Sequence, residues 1–169
     1  PLYSSAASDV YKRQEEKPEE KFYREYIGGY GIGAKIVFDR QKAGIDPLGP
    51  ENILGFMTGP LTGTDFPFGG RYTVFVGKSP LTGGWGDANS GGDFGPYLKF
   101  SGYDGVVFTG VSEKPVYLHI REGKAELKDA AHLWGKDTVE TEDILKQDLG
   151  EDVRTVSYTH LRAHETKAN

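Results

Sequence analysis

The sequence predicts an α+β domain in which several antiparallel strands form two small sheets, with helices outside them. Three observations carry this reading. Short β-rich runs at residues 53–58, 71–77 and 105–109 are separated by glycine-rich turns. A hairpin signature, Arg121-Glu122-Gly123-Lys124, joins residues 116–120 to 125–128. Stretches on both sides of these runs have helical spacing instead. A chain of 169 residues suits one domain with a real core.

Residues 15–27 are rich in Glu and Lys and put Phe22, Tyr23, Tyr26 and Ile27 on one face, as a helix does, with Pro18 in its first turn. Gly28-Gly29 interrupts it. A second helix is expected from Ile32 to about Lys42, ended by Gly44 and Pro47. The run from Gly29 to Ala34 matches the dinucleotide fingerprint G-x-G-x-x-A, but that fingerprint needs a strand just before it. A charged helix precedes it here, so these glycines read as sites of close backbone packing. Residues 53–58 (ILGFMT) read as a buried strand, and 71–77 (RYTVFVG) alternate in the β manner. Gly77-Lys78-Ser79 imitates the end of a phosphate-binding P-loop. Tyr72 stands where that loop needs glycine, and Pro80 bars the helix that should follow. Residues 105–109 read as another buried strand. Residues 137–149 read as a helix capped by Asp137 or Thr138, with Gly150 beyond its end. Residues 153–156 begin a further strand.

Residues 1–14 show no helix or strand period, and 157–169 break abruptly from what precedes them. Both read as adapter-like, non-native tails, expected to pack poorly and to carry no site. His160 and His164 fall in the second of them. The domain proper is thereby assigned to residues 15–156. A net charge of −5 argues against a nucleic-acid backbone as main partner. Mean hydropathy is −0.52 and no long apolar run occurs, so no transmembrane helix or signal peptide is indicated. The absence of cysteine excludes disulfides and a cysteine-held iron–sulfur cluster within these residues. A cytoplasmic location is the expectation.

The chain is organised around the glycine-rich stretch 59–95. It holds one tetrapeptide twice, Pro60-Leu61-Thr62-Gly63 and Pro80-Leu81-Thr82-Gly83. Each copy leads to a second glycine-rich turn, Phe68-Gly69-Gly70-Arg71 and Asn89-Ser90-Gly91-Gly92. Glycines let a backbone approach a ligand closely, and successive amides in such turns form concave anion-binding nests. Arg71 adds a planar fork of donors suited to phosphate or carboxylate. The plainer alternatives are two tight turns, a surface arginine and an asparagine at a positive-φ turn position. Asp65, Asp87 and Asp93 lack the spacing of a catalytic or metal cluster and read as solvated loop residues or turn caps. His119 and His132 stand alone and read as structural. Trp85 has two readings, a wall of a binding site or packing of its own loop.

GPLTGT, GGRY, KSPLTG and ANSGG, in this order, resemble the N-terminal domain of the tungsten-containing aldehyde:ferredoxin oxidoreductase family. DPLGPEN at 46–52, LKFSGYDGVVFTG at 98–110, EKPVY at 113–117 and HLWGKD at 132–137 extend the resemblance from about Pro18 to Arg154. It implies sheets stacked face to face beneath a saddle that holds tungsten in two pterin dithiolene cofactors. It further implies that Arg71, with Gly69 and Gly70, contacts the pterin, and that Asn89, Ser90, Gly91 and Gly92 line it. The main-chain carbonyl of Asn89 would help hold a Mg2+ ion bridging the two pterin phosphates, a hard cation with oxygen ligands. The family reads G-G-R-G where this chain has Tyr30, so a cofactor contact from that side chain is not carried over. The implied activity is oxidation of an aldehyde to a carboxylic acid, with electrons leaving through a [4Fe-4S] cluster to ferredoxin. The cluster ligands and acid–base residues would belong to later domains of a longer parent, for which a homodimer is one expectation; alone, this segment would be inactive. The WGDANSGGDFG form also resembles the tungsten subunit of class II benzoyl-CoA reductases, and a non-enzymatic anion- or sugar-binding β module is a third reading. Two similar turns and two similar pterins suggest that the PLTG turns lie together, related by an approximate two-fold rotation, with Arg71 and Asn89 facing one concavity.

Overall fold

The computed structural model describes residues 2–6, 12–67, 70 and 73–155. In chain order these form β1 (Leu2–Ala6), β2 (Lys12–Glu16), α1 (Glu20–Tyr26), α2 (Gly29–Arg40), β3 (Leu54–Thr58), β4 (Thr73–Lys78), β5 (Trp85–Ser90), α3 (Phe94–Phe100), β6 (Gly105–Thr109), β7 (Val116–Arg121), β8 (Lys124–Asp129) and α4 (Thr138–Leu149). A six-stranded sheet has the order β2-β1-β6-β3-β4-β5, and β7-β8 is a separate hairpin. Every neighbouring pair is antiparallel except β1 and β6.

Period two along β3 and β6 sends alternate residues to opposite faces of the large sheet. Met57 and Val107 join Ile53 and the α2 residues Ile32 and Ile36, with Phe22, Tyr23 and Tyr26 packed around them. Val106 joins Leu98 of α3, Tyr103 and Ala125 of β8, with Phe56, Phe108, Leu118 and Ile120 around them. The central strands are therefore covered on both sides, which is why their sequences read as near-continuous apolar runs. The hairpin packs on one face of the large sheet and α1–α2 lie outside the other, so the α+β expectation of two packed sheets holds.

Helix α2 approaches the sheet closely. A Cβ on Gly33 would stand 2.8 Å from Val76 Cγ1, and one on Gly55 would stand 2.8 Å from Val76 Cγ2. Val76, 2% exposed, thus fills the space that two glycines leave. Gly31 serves the turn between the helices: a Cβ there would lie 2.1 Å from the Tyr26 carbonyl oxygen. The dinucleotide-like glycines are packing glycines inside a helix, as the sequence indicated. The helical reading of 15–27 starts too early, since Glu15 and Glu16 belong to β2 and α1 begins at Glu20, so Pro18 precedes α1 instead of lying in its first turn; α2 begins at Gly29 rather than Ile32.

The hairpin turn falls at Glu122 and Gly123, with φ of 52° and 73°, the two positive values that a type I′ turn requires. Helix α4 starts on a reciprocal capping box between Asp137 and Glu140. Lys78, the P-loop imitation, lies in β4 and donates from Nζ to the Ile45 carbonyl at 2.5 Å.

The expectation that residues 1–14 pack poorly is corrected for the described ones among them, 2–6 and 12–14. β1 lies between β2 and β6, in parallel register with β6 from Leu2↔Gly105 to Ala6↔Thr109. Strand pairing is made by main-chain groups, so LYSSA needs no apolar alternation to occupy the edge that β6 offers. Residues 157–169 lie outside the described residues, and no strand forms at 153–155.

Tyr23 donates to Asp104 Oδ2 at 3.3 Å, and Lys99 donates to Asp104 Oδ1 at 2.6 Å. Burial, the Asp104 charge and this hydrogen bond push the Tyr23 hydroxyl up to about 12. The unfolded chain releases this proton near 10.0, so the stability linked to it is complete below that value. It should be lost as pH rises from about 10 to about 12. Alkaline unfolding curves of the Tyr23→Phe protein should be flatter over this interval; identical curves would remove Tyr23 as the cause.

Candidate functional site at the glycine-rich end of the sheet

The two PLTG turns lie at opposite ends of β4. The first follows Thr58, whose partner is Thr73 at the start of β4, and the second joins Lys78 to Trp85. A six-residue strand separates them, roughly 17 Å at the usual rise per residue. Their surroundings differ too. Thr62 is 1% exposed and accepts at Oγ1 from the Gly59 N–H at 3.0 Å, whereas Leu81 is 92% exposed. The expected two-fold relation between them is therefore wrong. Proline, threonine and a positive-φ glycine make a serviceable turn in either setting, with φ of 83° at Gly63 and 71° at Gly83.

Of residues 68–71 only Gly70 is described, and the strands that flank the two second turns lie together. Thr73 pairs with Ser90 and Val74 with Asn89, so the entry to β4 and the exit of β5 lie side by side. Gly70 stands at this end and accepts at its carbonyl from the Gly63 N–H at 2.8 Å. A Cβ on Gly70 would come 2.7 Å from the Thr64 carbonyl oxygen. Gly69 and Arg71 lie outside the described residues. Gly91 and Gly92 follow β5 in open space, with nothing within 4 Å of a Cβ at either, and Gly92 has φ of 75°. The result is a rim of bare backbone, open on its outer side.

The direction of the Asn89 main chain follows from register. Ser79 N–H donates to the Gly84 carbonyl at 2.9 Å, making 79 and 84 a hydrogen-bonded pair. In an antiparallel ladder such pairs alternate with non-bonded ones. Gly77–Gly86, Phe75–Ala88 and Thr73–Ser90 are then bonded pairs, and Val74–Asn89 is not. The Asn89 N–H and C=O consequently point away from β4, toward the outer edge of the sheet. An edge-directed carbonyl is an oxygen donor of the kind a hard cation takes.

Side chains of β5 face alternately, and Trp85, Asp87 and Asn89 share the α2 side with Val74 and Val76. Tyr30 of α2 reaches them. Its hydroxyl donates to Asp87 Oδ2 at 2.8 Å and accepts from Asn89 Nδ2 at 2.7 Å. Trp85 Nε1 donates to Asp87 Oδ1 at 2.8 Å. Asp87 is thus the centre of an exposed network on a strand rather than a loop residue, and Trp85 bonds within its own strand while remaining 43% exposed. No spacing in the sequence announces a contact between positions 57 residues apart.

Arg154 is a further cation at this end that the sequence reading did not single out. Its Nε lies 3.6 Å from Asp93 Oδ2, just after Gly92, and its guanidinium lies 5.0 Å over the Tyr97 ring. His119 is half-buried on β7. Burial, with Lys128 and Arg121, lowers its pKa against the upward pull of Glu126. His132 stands 3.4 Å from Asp148. Neither histidine reaches the rim. Among the described residues, no group of three or more His, Cys, Asp or Glu side chains is placed to hold a metal ion. A cavity of about 1120 Å³ lies on the hairpin side of the sheet, lined mainly by apolar groups such as Phe56, Phe108, Leu118, Trp134 and Leu145. Glycine amides make the rim, not this apolar cavity, the better place for an anionic ligand, and the edge carbonyl suits an accompanying cation.

The class these features define is an α+β domain with glycine-rich backbone at one end of a six-stranded sheet. Residues 9–159 match the family described as aldehyde ferredoxin oxidoreductase, N-terminal domain, and the chain belongs to that family. It is 45% identical over 137 residues to the tungsten-containing aldehyde ferredoxin oxidoreductase of Pyrococcus furiosus, covering 81% of this chain and 22% of that protein. It is 48% identical over 131 residues to the enzyme of the same name from Thermococcus kodakarensis, covering 78% of this chain and 22% of that protein. Among solved structures it is similar to the active-site complex BamBC of benzoyl-coenzyme A reductase bound to 1,5-dienoyl-CoA. That similarity has a TM-score of 0.83 and 36% identity, over 89% of this chain and 23% of the other. The chain therefore spans between a fifth and a quarter of the length of these relatives.

Proposed function

We propose that this chain forms one half of a tungstopterin cradle in an aldehyde:ferredoxin oxidoreductase-like enzyme. The observation that carries the proposal is the pairing of the entry to β4 with the exit of β5, Thr73 with Ser90, which sets the chain that follows Gly70 beside a strand end leading into the open Gly91-Gly92 backbone. Such a rim fits a phosphate-bearing pterin: amides in glycine turns bind anions, and the bare backbone leaves room for close approach. Gly69, Gly70 and Arg71 would hold the pterin from the β4 side, and Ser90, Gly91 and Gly92 from the β5 side. The Asn89 carbonyl would supply one oxygen to a bridging Mg2+. The bound tungsten centre would supply the redox chemistry, and this chain's part is to orient it and to exclude alternatives of position. The [4Fe-4S] ligands, the acid–base residues and the docking surface for ferredoxin are assigned to the later parts of a longer parent, in a cytoplasmic enzyme. We also assign residues 1–14 and 157–169 an origin outside the native domain, with the 15–156 segment as its partial form.

Aldehyde is the favoured substrate class because the relatives bearing that activity in their names are 45–48% identical, against 36% for the benzoyl-CoA reductase complex. The test is the full-length parent. It should contain tungsten and reduce ferredoxin when given an aldehyde and water. Tungsten with reduction of an aromatic thioester instead would favour the second reading, and a tungsten-free protein that binds phosphate would favour a binding module.

A further inference from the structure

We propose that Tyr30 is a positioning residue for the cofactor rim, setting the Asn89 carbonyl through the chain Asn89 Nδ2–Tyr30 Oη–Asp87 Oδ2. The inference rests on the reading above and assigns work to a residue which that reading leaves without a role.

β5 is the outermost strand of its sheet, paired with β4 on one side only. The end of such a strand frays readily, because nothing on the far side fixes its twist. Asn89 lies one residue from that end and carries the edge-directed carbonyl. Tyr30 ties the strand to α2, and α2 is itself seated rigidly by the fit of Val76 against Gly33. The tyrosine hydroxyl donates to Asp87 at 2.8 Å and accepts from the Asn89 amide at 2.7 Å, so one oxygen clamps two residues of the strand on the same face. The Asp87 carboxylate is held in turn by the Trp85 indole at 2.8 Å. The acceptor is charged, which strengthens the bond from the tyrosine. With its side chain held toward α2, Asn89 keeps its main-chain carbonyl aimed along the edge. An arginine at this position would have donors only and could not accept from an asparagine amide.

The experiment uses the full-length parent and compares Tyr30→Phe, Asn89→Ala and the double variant. It reads Mg2+ and tungsten retained after timed dialysis against chelator, together with thermal melting. Tyr30→Phe should lose Mg2+ about five- to tenfold faster, the change that one net hydrogen bond supports, with little change in melting temperature. Asn89→Ala should do the same, and the double variant should be no worse than either alone. Tyr30→Arg should not restore retention. Retention equal to that of the parent in Tyr30→Phe, or additive losses in the double variant, overturns the positioning role and leaves the cofactor reading standing. A parent that holds no tungsten overturns the cofactor reading and this inference with it. A large drop in melting temperature for Tyr30→Phe, with unchanged Mg2+ loss at a temperature where it is folded, would show a purely structural role and also overturn it.

Discussion

Alanine at position 31 is expected to destabilise the domain by about 3 kcal/mol, the upper end of the usual cost of overpacking. The added Cβ would stand 2.1 Å from the Tyr26 carbonyl oxygen and 3.1 Å from the carbonyl carbon, and both atoms are backbone. Relief requires the junction between α1 and α2 to move. That movement would drag Tyr30 and the seat of Ile32 with it, and Ile32 is 3% exposed. Gly33→Ala should also destabilise, for a different reason. Its Cβ would meet the two Val76 methyl carbons at 2.8 and 2.9 Å, and these belong to a side chain. Trimming Val76 to Ala should therefore rescue Gly33→Ala in part and leave Gly31→Ala unrescued. Gly84→Ala is the control, since only Thr82 Oγ1 lies within 4 Å of its Cβ, at 3.8 Å. Urea unfolding of the set measures all of these. Gly31→Ala with the midpoint of the unmodified protein would mean that the helix junction is far softer than its geometry implies.

The parts of this fold that could be read from sequence are those whose side chains must satisfy two neighbours. Strands β3 and β6 are covered on both faces, so their apolar character is forced, and helix α4 announces itself through Asp137 and Glu140. β5 was not legible. WGDANS lies at an edge and faces α2 with polar groups, so no alternation marks it. α3 was not legible either: FGPYLKF is seven residues long and carries Gly95 and Pro96, which argue against a helix unless it is pinned by burial of Leu98. β1 is invisible for another reason, because its pairing with β6 is made by backbone. The site divides in the same way. The glycine turns were legible as places where backbone is exposed. That the Asn89 carbonyl points outward was not, because it depends on a parity fixed by the Ser79–Gly84 bond five residues away. The repeated PLTG misled, since a turn sequence specifies local φ and not where the turn lies in the fold.

Arg71→Ala in the full-length parent should lower cofactor occupancy far more than it lowers stability. Arg71 lies outside the described residues, but its place in the chain is bounded: Gly70 precedes it, and two residues later Thr73 pairs with Ser90 across the ladder. Neighbouring strands are about 4.8 Å apart, so Thr73 lies beside Ser90 at the end of β5. A guanidinium offers an anion two parallel N–H donors. A hydrogen bond to a charged, desolvated group contributes roughly 1.5–3 kcal/mol, which corresponds to about a ten- to hundredfold loss of affinity. A surface substitution away from special features changes fold stability by about 0.5 kcal/mol or less. The variant should therefore melt within a few degrees of the parent yet be purified with most of its tungsten missing. Lysine should recover part of the loss, since it keeps the charge and lacks the fork. Raising salt should weaken the lysine variant more, because a point charge is screened while a paired set of short hydrogen bonds is less so. Unchanged tungsten in Arg71→Ala would remove the arginine from the cradle. If tungsten and melting temperature fell together, the arginine would belong to the fold, and the glycine turns alone would be left to hold the anion.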